Sequence, residues 1–293
     1  MFNAGTITIA GKSAHPLTVN RLGYGTMRLT GEGIYGEPPN RPEALQILKR
    51  AVEMGVNFID TADYYGEDVT NRLIAEAIYP YKDDLVICTK VGGARKPDKS
   101  WIAFNTPANL RTSIENNLRT LKIEQVTLVH FRSIGGHGVS FEESMEAMFE
   151  MQREGKILHV GVSNVTRDEL QTAMKMGEIA TVENMYGHAQ RTTHGEGHFI
   201  SNGGEELLDI CEANGIPLVP YFSLFLSTPK KDECIAAIAK KYGISAVQAN
   251  IAWLLHRSPW ILPIPGTSSL AHFEENMAAA HVELTKEDMD YLA

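Results

Sequence analysis

Eight short runs rich in β-branched and aliphatic residues recur along the chain, each followed by a longer segment of helical period. This alternation restricts the fold more than any other feature, because it is the signature of βαβ units and a parallel sheet. The spacing predicts strands over residues 21–27, 56–61, 85–90, 126–131, 157–163, 181–186, 217–222 and 261–265. Helix starts are marked by Thr106-Pro107, by a capping box from Thr166 to Glu169, and by Thr228-Pro229. Gly55, Gly155 and Gly215 mark helix exits. Eight strand–helix units in 293 residues fit an α/β fold of the closed (β/α)8 TIM-barrel type, a single domain over residues 1–293. The leading segment ITIAGKSAHPLTVNRL (residues 7–22) predicts a short hairpin across the barrel floor.

Bulk properties exclude several function classes. A formal charge of −9 and scattered basic residues give no electrostatic footprint for nucleic acid. Cys88, Cys211 and Cys234 are odd in number and far apart, which argues against a disulfide framework or a zinc site. No stretch is long and apolar enough to span a bilayer, and the N-terminus lacks the pattern of a secretion signal. A cytoplasmic protein without membrane or nucleic-acid partners is the expectation, with a monomer favoured and the oligomeric state otherwise open.

Polar residues collect where the strands end. The predicted strands finish at Asp60, Lys90, His130, Ser163 and Asn164, Glu183 and Asn184, Tyr221, and Gly266 and Thr267. In a parallel barrel these ends meet at one rim, where such folds build their sites. In the stretch FIDTADYYG, Tyr65 follows Asp60 by five residues and can fold back over the rim, with Gly66 permitting the tight turn. A free phenol titrates near ~10, so Lys90 is expected to lower the Tyr65 pKa, with Asp60 holding the lysine in place. His130 can orient a substrate carbonyl. Tyr64 reads as packing.

At these residues the chain resembles the aldo-keto reductase family. The resemblance runs end to end: RLGYGTMRL, GVNFIDTADYYG, VICTK, LVHFR, GKILHVGVSN and LPIPGTSSLAHFEEN carry it. It implies a nicotinamide-dependent barrel that reduces a small carbonyl compound by hydride transfer, with a catalytic tetrad on Asp60, Tyr65, Lys90 and His130 and with Tyr65 as general acid. It further implies that Ser163, Asn164 and Glu183 hold the nicotinamide carboxamide and that Tyr221 stacks on its ring. Gly266, Thr267, Ser268, His272, Glu275 and Asn276 match the adenine end. NADPH is the cofactor favoured, with NADH left open. Bacterial members that include a pyridoxal reductase look most alike, and the short C-terminal end suggests an open pocket tolerant of small aldehydes. Three departures stand out: Glu183 replaces a glutamine common in the family, Ser223 and Phe225 replace the Pro and Gly of a PLG loop, and the segment after the last strand offers a 2′-phosphate only His272.

Other signals carry less. GEGIYG (residues 31–36) matches GxGxxG but leads into EPPNRP, so it reads as a loop over the mouth and not as a dinucleotide fingerprint. His188, His194 and His198 lack a complementary ligand set for a metal. Cys88 reads as core. Two other functions remain at this point: a nicotinamide-nucleotide-binding regulatory subunit on the same fold, and a metal-dependent hydrolase using Asp60 and His130, against which Lys90 stands as a cation.

Overall fold

A computed structural model describes residues 4–134, 139–191, 205–224 and 229–293. Two antiparallel strands come first, β1 (Thr6–Ile9) and β2 (Leu17–Asn20), paired from Thr6↔Asn20 to Ile9↔Leu17. The main sheet follows with β3 (Tyr24–Gly25), β4 (Phe58–Asp60), β5 (Val86–Arg95), β6 (Trp101–Phe104), β7 (Val126–Arg132), β8 (Ile157–Ser163) and β9 (Val182–Glu183). Around it lie α1 (Arg41–Glu53), α2 (Val69–Ile78), α3 (Pro107–Leu121), α4 (Phe141–Arg153) and α5 (Arg167–Met176). They are followed by α6 (Glu205–Asn214), α7 (Pro229–Tyr242), α8 (Ala246–Arg257), α9 (Leu270–Ala278) and α10 (Lys286–Tyr291).

Strands β3, β4, β5, β7, β8 and β9 are neighbours in that order and all parallel. The ring continues through parallel bridges Val182↔Leu218, Met185↔Tyr221 and Leu218↔Ile261. It closes where the Gly23 N–H donates to the Pro263 carbonyl at 2.9 Å. The result is a (β/α)8 barrel. Its last two predicted strands are reduced to isolated bridges, and the cause is compositional: Pro217, Pro220, Pro263 and Pro265 lack the N–H a continuous ladder needs. Closure also needs two glycines. A Cβ on Gly25 would lie 2.7 Å from the Ile264 oxygen, and one on Gly266 would lie 2.7 Å from the Gly25 oxygen.

Residue parity divides the core. Ile87, Val91, Val129, Phe131, Val160 and Val162 face the helices and pack on their buried stripes. The alternate residues Val86, Cys88 and Leu128 face inward and share one cluster with Ile7, Ile9 and Val19 of the β1–β2 hairpin. His159 adds a polar tie, its Nε2 donating to the His15 carbonyl at 2.8 Å. The predicted helix signals act as expected at Thr106, whose side chain accepts from Asn109 N, and at the Thr166/Glu169 capping box. Gly55, Gly155 and Gly215 adopt positive φ beyond α1, α4 and α6. One element went unforeseen. Strand β5 continues five residues past Lys90 and returns as β6, pairing from Gly92↔Phe104 to Arg95↔Trp101 through a turn at Lys96–Ser100.

Candidate active site

The parity that fills the barrel floor with apolar groups places polar ones in the next layer up. Along β5, Val86 and Cys88 lead to Lys90; along β7, Leu128 leads to His130 and Arg132; along β8, Gly161 leads to Ser163. Registers Lys90↔His130, His130↔Gly161 and Arg132↔Ser163 bring these positions side by side. Gly161 is required there, because a Cβ would meet the His130 ring at 2.5 Å.

Lys90 is wholly buried, and its Nζ donates to both carboxylate oxygens of Asp60, each at 2.6 Å, and to the Thr61 carbonyl at 3.2 Å. A buried ammonium is tolerated only with such partners. It has another. Glu183, also buried, places Oε1 at 3.3 Å from Lys90 Nζ and Oε2 at 2.8 Å from His130 Nδ1. The Oε2 contact lies off the line of a ring N–H, which leaves that oxygen without an aligned donor. His130 shares a hydrogen bond between Nε2 and Thr181 Oγ1 at 2.6 Å, and Cys88 Sγ lies 3.3 Å from Nδ1. Both ring nitrogens are thus engaged within the protein, where a free one was expected to face a substrate carbonyl.

The electrostatics follow from two carboxylates sharing one ammonium. Burial and then repulsion from Glu183 push the Asp60 pKa upward, with Lys90 opposing. For Glu183 burial acts upward too, but Lys90 and His130 outweigh it and hold that carboxyl below the ordinary range. Burial costs Lys90 charge, yet Asp60 and Glu183 raise its pKa well above the usual value, so it stays an ammonium. Burial lowers His130, which is therefore neutral at pH 7.

Tyr65 sits above this layer. The turn after β4 is fixed by Tyr65 N to Ala62 O and by Asp68 N to Asp63 O, and Gly66 at φ +67° passes against the Gly36 carbonyl. The turn swings the Tyr65 ring to 5.0 Å from Lys90 Nζ. Among the described residues the phenol has no hydrogen-bond partner. Its pKa corrects the expectation: burial, reinforced by Asp60 and Glu183, outweighs Lys90 and pushes it up to about 12. Tyr64 packs edge-on against Tyr65 and Trp101, and with Met27 and Ile34 these rings form an apolar wall. Ile34 brings the GEGIYG segment, a turn with no helix, against that wall.

Ser163 is buried and accepts from Arg132 Nη1 at 3.1 Å, while the Arg132 guanidinium lies 5.0 Å from the Tyr221 ring centre. Asn164 adopts φ +57°, donates to the Ser133 carbonyl and accepts from the Tyr221 hydroxyl at 2.8 Å. Beyond the closing segment, Gly266 and Thr267 lead into α9, whose cap Ser269 accepts from His272 N. Ser268 and His272 are exposed, Glu275 is half-buried and Asn276 is buried. The Leu270 N–H at this helix start donates to Glu43 Oε1 at 2.9 Å, so a carboxylate already takes one donor a phosphate would use. Gly266, Thr267, Ser268 and His272 thus lie around the start of α9, with Glu275 and Asn276 further along the same helix.

Some site residues were missed by the sequence reading. Arg132 carried a usable signal, standing two residues after His130 on the same strand and so on the same face. Thr181 and the Cys88 contact with His130 carried none. Of the histidine cluster, His188 is a structural tie, donating to the Leu292 carbonyl and packing on Trp253. His194, His198 and Phe225 lie outside the described residues. Asp60, Cys88 and His130 approach one another as metal ligands would, but the Lys90 ammonium already binds both Asp60 oxygens.

The chain is thus a closed (β/α)8 barrel that carries at its mouth a buried lysine–carboxylate pair with the Tyr65 ring 5.0 Å from the ammonium. The aldo/keto reductase family model matches residues 21–293, and the chain belongs to that family. It is 41% identical to pyridoxine 4-dehydrogenase of Escherichia coli, covering 99% of this chain and 98% of that protein. It is 35% identical to an uncharacterized oxidoreductase of Schizosaccharomyces pombe over 97% of this chain and 87% of that one. Among solved structures, a thermostable aldo-keto reductase in complex with the inhibitor epalrestat superposes with a TM-score of 0.81 at 30% identity, covering 98% of each chain. An aldo/keto reductase of Klebsiella pneumoniae, solved with NADP and acetate, matches the fold at TM-score 0.74 and 24% identity over 98% of this chain and 93% of that one.

Proposed function

We propose that the protein is a cytoplasmic, single-domain NADPH-dependent reductase of small aldehydes, pyridoxal among them, with the β1–β2 hairpin as the floor of its barrel. The observation that carries the reading is the buried Lys90–Asp60 pair directly beneath the unpartnered Tyr65 phenol. The residues fit a nicotinamide: Glu183 Oε2 is a buried acceptor without an aligned donor, suited to a carboxamide NH2, and Tyr221 offers a ring held by Asn164. When bound, the cofactor supplies a hydride to the carbonyl carbon. Tyr65 gives its proton to the carbonyl oxygen, and the resulting phenolate is stabilised by the adjacent Lys90 ammonium. Asp60 keeps that ammonium in place. His130, neutral and held by Thr181, completes the polar layer beside it. The wall of Tyr64, Trp101, Met27 and Ile34 suits a flat aromatic aldehyde, and the E. coli relative is named for pyridoxine chemistry. The proton-handling set at the mouth favours catalysis over the regulatory reading.

The test is cofactor oxidation followed by absorbance, with NADPH and NADH against pyridoxal and simple aldehydes. Tyr65→Phe should lower kcat by about 100-fold or more while cofactor binding persists. Full turnover in that variant sinks the mechanism.

A further inference from the structure

Glu183 ends β9 with 1% of its surface exposed, yet its carboxylate spans two other site residues, Lys90 through Oε1 and His130 through Oε2. Lys90 needs no second carboxylate to be tolerated, since Asp60 alone gives it two short bonds. A second buried negative charge is costly unless it has a task. Every titratable group packed around it feels that charge: Lys90 and Cys88 on β5, His130 and Arg132 on β7, Asp60 on β4, Tyr64 and Tyr65 on the following turn, and Tyr221 beyond β9.

We infer that Glu183 is a positioning residue for Tyr65: as second counter-charge to Lys90 it keeps the Tyr65 hydroxyl a proton donor. The physical argument is a balance of charges. With Asp60 alone, the ammonium is neutralised once, and the Arg132 guanidinium stands above the same layer with no carboxylate within ion-pair distance among the described residues. That excess of positive charge favours phenolate. Adding Glu183 cancels it and makes the phenol harder to ionise, which suits proton donation during carbonyl reduction and hinders proton removal from an alcohol. This inference rests on the reductase reading, and its test separates the two.

The experiment measures kcat against pH in both directions, NADPH with an aldehyde and NADP with the alcohol, for the wild type, Glu183→Gln, Glu183→Asp and Tyr65→Phe. In Glu183→Gln the rising limb of alcohol oxidation should move about one pH unit lower, and the falling limb of reduction should move the same way. Glu183→Asp keeps the charge, so its limbs should stay where they are. A cofactor-contact role alone would change the KM for NADPH and leave the limbs in place. Unmoved limbs in Glu183→Gln, with Tyr65→Phe inactive, would overturn this inference and leave the reductase reading intact. Full activity in Tyr65→Phe would overturn the reading itself. If Glu183→Gln does not fold, Glu183→Asp decides, and limbs displaced despite the retained charge would refute the inference.

Discussion

Replacing Lys90 with methionine removes a cation in contact with two buried carboxylates, and stability should report it directly. The ammonium makes two bonds of 2.6 Å to Asp60, one of 3.2 Å to the Thr61 carbonyl and an ion-pair contact of 3.3 Å to Glu183, all out of reach of water. Breaking a buried pair costs about 3–5 kcal/mol, and with two carboxylates stranded the upper part of that range is expected. The loss should depend on pH. Without Lys90 both carboxyls have folded-state pKa values above their unfolded value near ~4. Groups raised in this way contribute stability that is present below the unfolded pKa and lost as pH rises through the folded one. The deficit relative to wild type should therefore be largest near pH 8 and shrink toward pH 5, by about 1.4 kcal/mol per pH unit for each extra bound proton. Urea unfolding at a series of pH values measures it, with equal slopes checking that both proteins unfold alike. A deficit under about 1 kcal/mol, or one flat from pH 5 to 8, would refute the assignment of Lys90 as the shared counter-ion.

Other outcomes follow from single contacts. Arg132→Leu should raise the KM for a carboxylate-bearing aldehyde about 10-fold relative to an uncharged one, because the guanidinium over Tyr221 meets no carboxylate among the described residues; equal changes for both substrates would count against it. Gly25→Ala should cost about 1–3 kcal/mol, read as a lower denaturation midpoint, since its methyl group would press on the Ile264 carbonyl across the barrel seam. An unchanged midpoint would mean the seam can shift.

The sequence made the barrel and most of its mouth readable through one regularity. Inward positions are apolar at Phe58, Cys88 and Leu128 and turn polar one inward step later, at Asp60, Lys90 and His130. What stayed hidden was of another kind. The closing strands failed to form full ladders because prolines remove donors, which hydropathy does not register. The net sign of the Tyr65 shift depends on competition between burial and four charges, and no spacing rule weighs them against one another. The Glu183 contacts are long-range, with 92 residues lying between it and Lys90 in the chain. The hairpin return at β6 was signalled by the turn residues of KPDKS, yet it lies outside the strand–helix rhythm that organised the reading.

That hairpin divides labour along a single strand. Lys90 belongs to the ring of the barrel, where every neighbour constrains it, whereas Trp101 hangs on a ribbon whose ladder partner is β5 alone. Arg95 braces the indole at 4.2 Å from outside the ring. Selection can therefore redraw the aromatic wall by altering residues 94–104, beyond the glycines that press on β7 and the residues just after it, while the Lys90–Asp60 pair of the ring stays as it is. Mutational drift in substrate preference should concentrate in this ribbon while the ring beneath it stands still.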